Sequence, residues 1–298
     1  MRKSKMPDLK QTIETDIEEN TDSTADYMDK INQSFFLMLK NPTDKEIEKH
    51  RKIRDALIAL WLASLFKDLE EQLYNSAQKG IDEADKQLKA KNITEVKDKN
   101  ITVDTFEKQV NDRQAADVED ITLTAQNIKT NSENVIKQLG TVSYDNEKVK
   151  KISADLAADL MQRGISFFYD RAGRRWSIAE YINMKTMTET ITAERLAFFT
   201  RAIQYGVDLV RIVHLNIHPT CELCAPFENK ILSIRGDTPN YMTIQEAEMQ
   251  GLFHPRCDHI PEQLELAPED KGEEGKIELN EANKKRYEYN KKRGISNY

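Results

Sequence analysis

Apolar residues recur by threes and fours along most of the first two hundred positions, and by twos only in short stretches after residue 164. The strongest helical signal begins at Lys45. Ile47, Ile53, Leu57, Leu60, Trp61, Leu65, Leu69 and Leu73 share one stripe, and the pattern runs to about Lys91 with one glycine, Gly80, and no proline. Within it, ALIALWLASLF (56–66) is apolar nearly all round, which predicts burial on several sides at the centre of a bundle, or else a docking surface. Upstream, residues 1–30 are polar and read as a flexible or partner-ordered lead. INQSFFLMLK (31–40) is apolar and stops at Asn41-Pro42, since proline disfavours helix at the residue before it; Asp44 can cap the next helix after Thr43. Residues 92–106 predict a short hairpin or an irregular loop. A thinner helical stripe from Val103 to Leu139 must lean on a neighbour, and Gly140 is its stop. One more helix is expected over Asn146–Gln162, ending at Gly164.

The texture then changes. ISFFY (165–169), DRAG (170–173) and RRWS (174–177) read as a tight hairpin. Ser177 and Glu180 form a capping box, so a helix starts there and runs to about Tyr205, with Gly206 as its stop. VDLVRIVHLNI (207–217) alternates as a strand, with Leu209, Val213, Leu215 and Ile217 on one face and Val210, Ile212 and His214 on the other. Asn229-Lys230, between apolar PF and ILSI, suggests a small hairpin. Thr243 and Glu246 form a second capping box for a short helix, about Ile244–Gln250, stopped by Gly251. After Ile260 the chain is polar again. KKRYEYNKKR (284–293) holds six bases and one acid, expected to be extended or helical only when bound.

Composition narrows the classes. Charged residues make up 32% of the 298, mean hydropathy is -0.70 and net charge is -7. That length admits two domains, and that polarity implies much solvated helix surface. The acidic balance argues against general coating of nucleic acid but leaves room for a local basic patch. The basic N-terminal residues have no apolar run behind them, so no export signal is expected. The 56–66 segment falls short of the roughly 20 residues a membrane span needs. With three cysteines, a disulfide framework is not expected, and reduced thiols are available to a metal.

All three cysteines and three of the five histidines lie between His218 and His259. Cys221-x2-Cys224 is the spacing of a tight knuckle whose two thiolates meet one tetrahedral ion, and Cys257 follows after 32 intervening residues. The expected ligands of a structural zinc are Cys221, Cys224 and Cys257. His259 is preferred as the fourth, with His254 and then His218 as alternatives. Four protein ligands make a closed site, and a small core gives a staple an obvious use. No Gly-rich phosphate loop and no nucleophile elbow is present. Asp258-His259 beside His254 leaves a metal-dependent nuclease or toxin-like effector as the alternative.

Taken in order, FYDRAGRRWSIAEY, YGVDLVRIV, CELCAPFENKILS and GLFHPRCDH resemble the bacteriophage minor capsid (minor head, head morphogenesis) proteins. The matching residues are Asp170, Gly173, Arg174, Trp176, Ser177 and Tyr181; then Gly206, Asp208, Val210 and Arg211; then Cys221, Cys224, Ala225, Lys230 and Ser233; and last Gly251, Leu252, His254, Pro255, Cys257 and His259. The likeness covers roughly 165–260. Asn229 stands where the family has glycine, and Asp258 where it has arginine. The resemblance implies a non-enzymatic virion protein in multiple copies per particle, at the capsid interior or portal vertex, assembled in the bacterial host cytoplasm. It would dock to the portal protein or the major capsid protein during head assembly and DNA packaging, without membrane contact. DNA or scaffold contact falls to the basic tail, and a nucleic-acid-binding zinc module using those bases is a further alternative. The expected fold is mainly α. A flexible lead (1–42) and a helical arm (43–164) precede a small zinc-stapled α+β module (165–262) and a charged tail (263–298).

Overall fold

The computed structural model of the protein describes residues 23–40, 43–140, 167–169, 175–214, 221–255, 257, 259–265 and 275–293. The expected helix over 146–162, the DRAG turn, the end of the 207–217 strand, His218 and Asp258 lie outside them. The fold is mainly helical. In chain order the elements are α1 (Thr24–Lys40), α2 (Asp44–Ala90), α3 (Val103–Gly140), β1 (Phe167–Tyr169), β2 (Arg175–Ser177) and α4 (Ile178–Gln204). They continue with β3 (Leu209–His214), a 3-10 turn (Ala225–Phe227), β4 (Ile231–Ser233), α5 (Ile244–Met249), β5 (His259–Glu265) and α6 (Glu281–Arg293). No helix among the described residues is long and apolar enough to cross a membrane.

By contact the chain forms two compact units, each drawn from two stretches: Met1–Glu70 with Ala115–Asn183, and Glu71–Gln114 with Met184–Tyr298. The first unit is a helical bundle. Its α1 begins at residue 24, inside the stretch expected to be a polar lead. Ser23 caps it, accepting from the Asp26 N–H at 3.3 Å while Asp26 takes the Ser23 N–H at 2.9 Å. Tyr27, Met28, Ile31, Phe35, Met38 and Leu39 then bury one face. In α2 the cap is Thr43 rather than Asp44: its hydroxyl accepts from the Glu46 N–H at 3.3 Å. The 56–66 segment buries Leu57, Ile58, Trp61 and Ser64, half-buries Leu60, Leu62, Leu65 and Phe66, and leaves Ala56, Ala59 and Ala63 exposed. The expected burial on several sides is present, and the exposed sector is alanine alone.

A polar network crosses this bundle. Buried His50 meets Ser34 through Nδ1 at 2.9 Å and Ser132 through Nε2 at 3.1 Å. Burial, with the Arg54 charge beside it, lowers the His50 pKa to about 4. Glu133 accepts from Arg51 at 2.8 Å and from buried Arg54 at 2.7 Å, and those bonds hold its carboxyl down at about 2. The β1–β2 hairpin pairs Phe168 with Trp176, and the Trp176 and Tyr181 rings meet edge-on at 6.3 Å. The Ser177–Glu180 capping box is present in both directions.

The second unit combines parts of α2, α3 and α4 with a three-stranded antiparallel sheet, ordered β4-β3-β5. Residues 91–102 form an irregular loop. The amides of Lys97 and Asp98 donate to the Gln204 carbonyl at 2.9 and 3.0 Å, satisfying the end of α4. At Gly80 the backbones of α2 and α4 approach closely: a Cβ there would collide with the Glu194 carbonyl oxygen. Ala84 and Leu88 of α2, Phe198, Phe199 and Ala202 of α4, and Val210 and Ile212 of β3 share one core with Cys224, Cys257 and Leu264. Pro261 sits on edge strand β5, where a missing N–H is tolerated, and the β3–β5 register shifts beside it, between Arg211 and Ile212.

Candidate metal centre

The knuckle is built by backbone turns. The Cys224 and Ala225 amides both donate to the Cys221 carbonyl, at 3.1 and 3.0 Å, which folds the two thiols to one side. Pro226 then starts a 3-10 turn that buries Phe227. This turn stands where a first hairpin strand was expected; β4 pairs instead with β3. Asn229 takes the left-handed backbone, at φ 60°, a conformation asparagine tolerates better than most residues. The Asn229 N–H donates to Ile212 at 2.8 Å and the Ile212 N–H to Lys230 at 2.9 Å, so the knuckle is sewn to the central strand.

The second arm comes from α5. Thr243 and Glu246 complete the expected capping box, and Gly251, at φ 108° against the Leu223 side chain, ends the helix. There the Cys257 N–H donates to the His254 carbonyl at 3.0 Å. His254-x2-Cys257 is therefore closed by the same turn as Cys221-x2-Cys224. The two arms meet with Cys221 Sγ 2.9 Å from His254 Nε2 and Cys224 Sγ 3.5 Å from Cys257 Sγ. His259 also approaches, its Nδ1 3.6 Å from Cys257 Sγ.

Two sets of donor atoms each lie within 4.8 Å of one another: Cys221, Cys224 and His254; and Cys224, Cys257 and His259. The structure thus brings together all three predicted thiols and two of the three predicted histidines. The two rings differ. His254 Nδ1 lies 2.8 Å from the Pro255 carbonyl, the partner that fixes a metal-binding imidazole with Nε2 as acceptor. His259 Nε2 is buried with no hydrogen-bond partner among the described residues, and its ring lies against His214 at 4.8 Å. Within the cluster the thiolate falls to Cys257, lowered by the hydrogen bond from Cys224 and by His259. Cys224 is pushed up by that same bond and by burial. A set of three soft sulfur donors and imidazole, deprotonating readily at one thiol, fits a tetrahedral zinc.

Other motif residues brace the site. The Asp208 carboxylate accepts from Ser233 Oγ at 2.6 Å and from the amides of Arg235 and Thr238 at 2.8 and 2.9 Å, ordering the loop after β4. Arg211 pairs with Glu265 across to β5 at 3.0 Å and donates to the Asn229 carbonyl at 3.0 Å. Three asparagines were not singled out from sequence. Asn280 Nδ2 donates to the Glu222 carbonyl at 2.7 Å, and Asn283 Nδ2 to the Leu223 and Gln250 carbonyls at 2.8 and 2.9 Å. Asn290 Nδ2 reaches the Met249 carbonyl at 3.0 Å. The signal was the Asn280-x2-Asn283 spacing, which forms a reciprocal cap for α6.

No curated protein and no solved structure matches the chain. The family described as phage minor capsid protein 2 matches residues 38–293, which takes in the long helices, the sheet, both arms of the cluster and α6. By that match, the chain belongs to the phage minor capsid protein 2 family.

Proposed function

We propose that this chain is a non-enzymatic structural component of the phage head, docking to the portal protein or the inner face of the major capsid protein during head assembly and DNA packaging. It would be present in multiple copies and stay in the virion. Family membership over residues 38–293 carries the reading. The Cys/His cluster serves it as a staple. Cys221, Cys224, Cys257 and His254 hold one zinc ion, which ties the knuckle to the α5 arm. The matched x2 turns and the Pro255 partner of His254 support this ligand set, and His259 acts as a packing residue. A four-ligand zinc keeps no position for a reacting water, so the site stabilises rather than catalyses.

Two measurements test the reading. Metal analysis is expected to give one zinc per chain, none in Cys257→Ser or His254→Ala, and full retention in His259→Ala. Retention in His254→Ala with loss in His259→Ala reverses the ligand choice. Purified heads and procapsids should contain the protein together with portal; its absence from both overturns the capsid role, as does metal-dependent DNA cleavage lost in His254→Ala.

A further inference from the structure

The C-terminal helix α6 has a composition that does not explain its fold. Its sequence, EANKKRYEYNKKR, has no apolar stripe. It is held instead by Asn283, fully buried, and by Asn290, seven residues on and therefore on the same face. Both donate to backbone carbonyls of the knuckle and the α5 arm. That docking fixes which side of the helix meets solvent. Lys284, Lys285, Lys291 and Lys292 are all exposed. They form two rows, Lys284 with Lys291 and Lys285 with Lys292, the members of each row about 10 Å apart along the axis. Tyr287 and Tyr289, 37% and 42% exposed, flank the rows on their outer sides. Glu281 and Glu288 lie between the rows, and Glu281 pairs with Lys284 at 2.8 Å. Both partners of that pair are well exposed, so it competes weakly with a polyanion.

We infer that α6 is a binding surface for the phosphate backbone of nucleic acid. The helix carries six bases and two acids in a chain of net charge -7, so the attraction is concentrated here while the remaining surface repels. Parallel lysine rows match a line of phosphates. Lys291 Nζ lies 5.8 Å from the Tyr287 ring centre, which puts a charge for a phosphate beside a ring on which an unpaired base stacks, and Tyr289 adds a second ring at the rim of the cavity. Arg286 is turned the other way, into the wall of a cavity of about 460 Å³ beside His254, and is left out of the contact set. The inference goes beyond the capsid reading and does not depend on it.

The test is fluorescence anisotropy of the zinc-loaded full chain with a labelled 20-base single strand and a 20-base-pair duplex, across a salt series. Four lysine–phosphate contacts predict a log–log salt slope of about -3.6 for duplex and about -2.8 for single strand. The combined Lys284→Gln, Lys285→Gln, Lys291→Gln, Lys292→Gln variant should lose at least tenfold in affinity at low salt and most of the slope. A matched variant of the exposed α2 lysines, Lys49, Lys52, Lys67 and Lys79, should bind as the parent does. Tyr287→Ala with Tyr289→Ala should weaken the single strand alone if bases stack, and leave both forms unchanged if only the duplex backbone is held. Circular dichroism and zinc content confirm that each variant is folded. No binding at low salt, equal loss in the α2 variant, or displacement of DNA by poly-glutamate at equal charge concentration overturns the proposal.

Discussion

The two compact units solve the same problem with different means. The bundle unit buries large side chains, with Trp61, Tyr27, Ile31, Met38, Leu57 and Ile58 almost fully covered, and adds a network of histidine, serine, arginine and glutamate. The sheet unit also buries large side chains, Phe198, Phe199, Phe227 and Leu252 among them, but two of its three thiols, Cys224 and Cys257, lie inside that core. Burying large apolar groups needs no cofactor. A core containing thiols and short strands gains rigidity when those thiols share an ion. The Cys/His cluster lies wholly in the sheet unit, so an ion bound there would act on that unit's stability.

Chelation is the sharpest way to break that contrast, with the largest expected effect. Structural zinc in small domains contributes on the order of 10 kcal/mol of apparent folding free energy. Removing it should expose the sheet unit's amides to hydrogen exchange while leaving tryptophan emission nearly unchanged, because Trp61 and Trp176 both lie in the bundle unit. A large emission shift on chelation would sink the distinction.

Acid tests the other side. His50 is held at about 4 in the folded chain against an ordinary value of 6.5, so between those values the unfolded chain binds more protons and stability rises with pH. The contribution is full above 6.5 and lost as pH falls towards 4, about 3 kcal/mol in all. Glu133, held at about 2 against 4.5, has the same sign: its share is full above 4.5 and lost below, down to about 2. Denaturant melts followed by tryptophan emission should show both stages, and His50→Gln should remove the upper one. A flat profile between pH 6.5 and 4 in the parent would remove the network from the account.

The smallest effect sharpens the sheet unit's dependence on helix contact. Gly80→Ala pushes a Cβ into the Glu194 carbonyl, and overpacking of this kind typically costs 1–3 kcal/mol. Thermal unfolding of zinc-loaded protein should show that loss; an unchanged or raised melting temperature would mean that α2 and α4 can separate there freely.

Local chemistry was the most readable part of the sequence. Both capping boxes, at Ser177 and Thr243, and the left-handed Gly206 and Gly251 stand where their neighbours in sequence required them. The convergence of the three thiols was readable from spacing. Both His254 and His259, named from the sequence as candidates, stand within reach of the thiols, and the metal analysis above decides between them. The α6 helix was missed because its stabilising partners are carbonyls 33 to 60 residues away in sequence. The expected burial of 56–66 on several sides holds for every residue but its three alanines, which helix surfaces accept freely.

The discontinuous make-up of the sheet unit has a consequence for synthesis on the ribosome. The bundle's last segment ends at Asn183, so all of its pieces have been made once that residue emerges. Ala84 and Leu88, made early on α2, share their core with Leu264, made near the end of the chain. During the interval those side chains have only part of their native cover, from α4 and β3. Long-range pairing of that kind forms late and leaves the nascent chain open to misassembly until its final strand arrives.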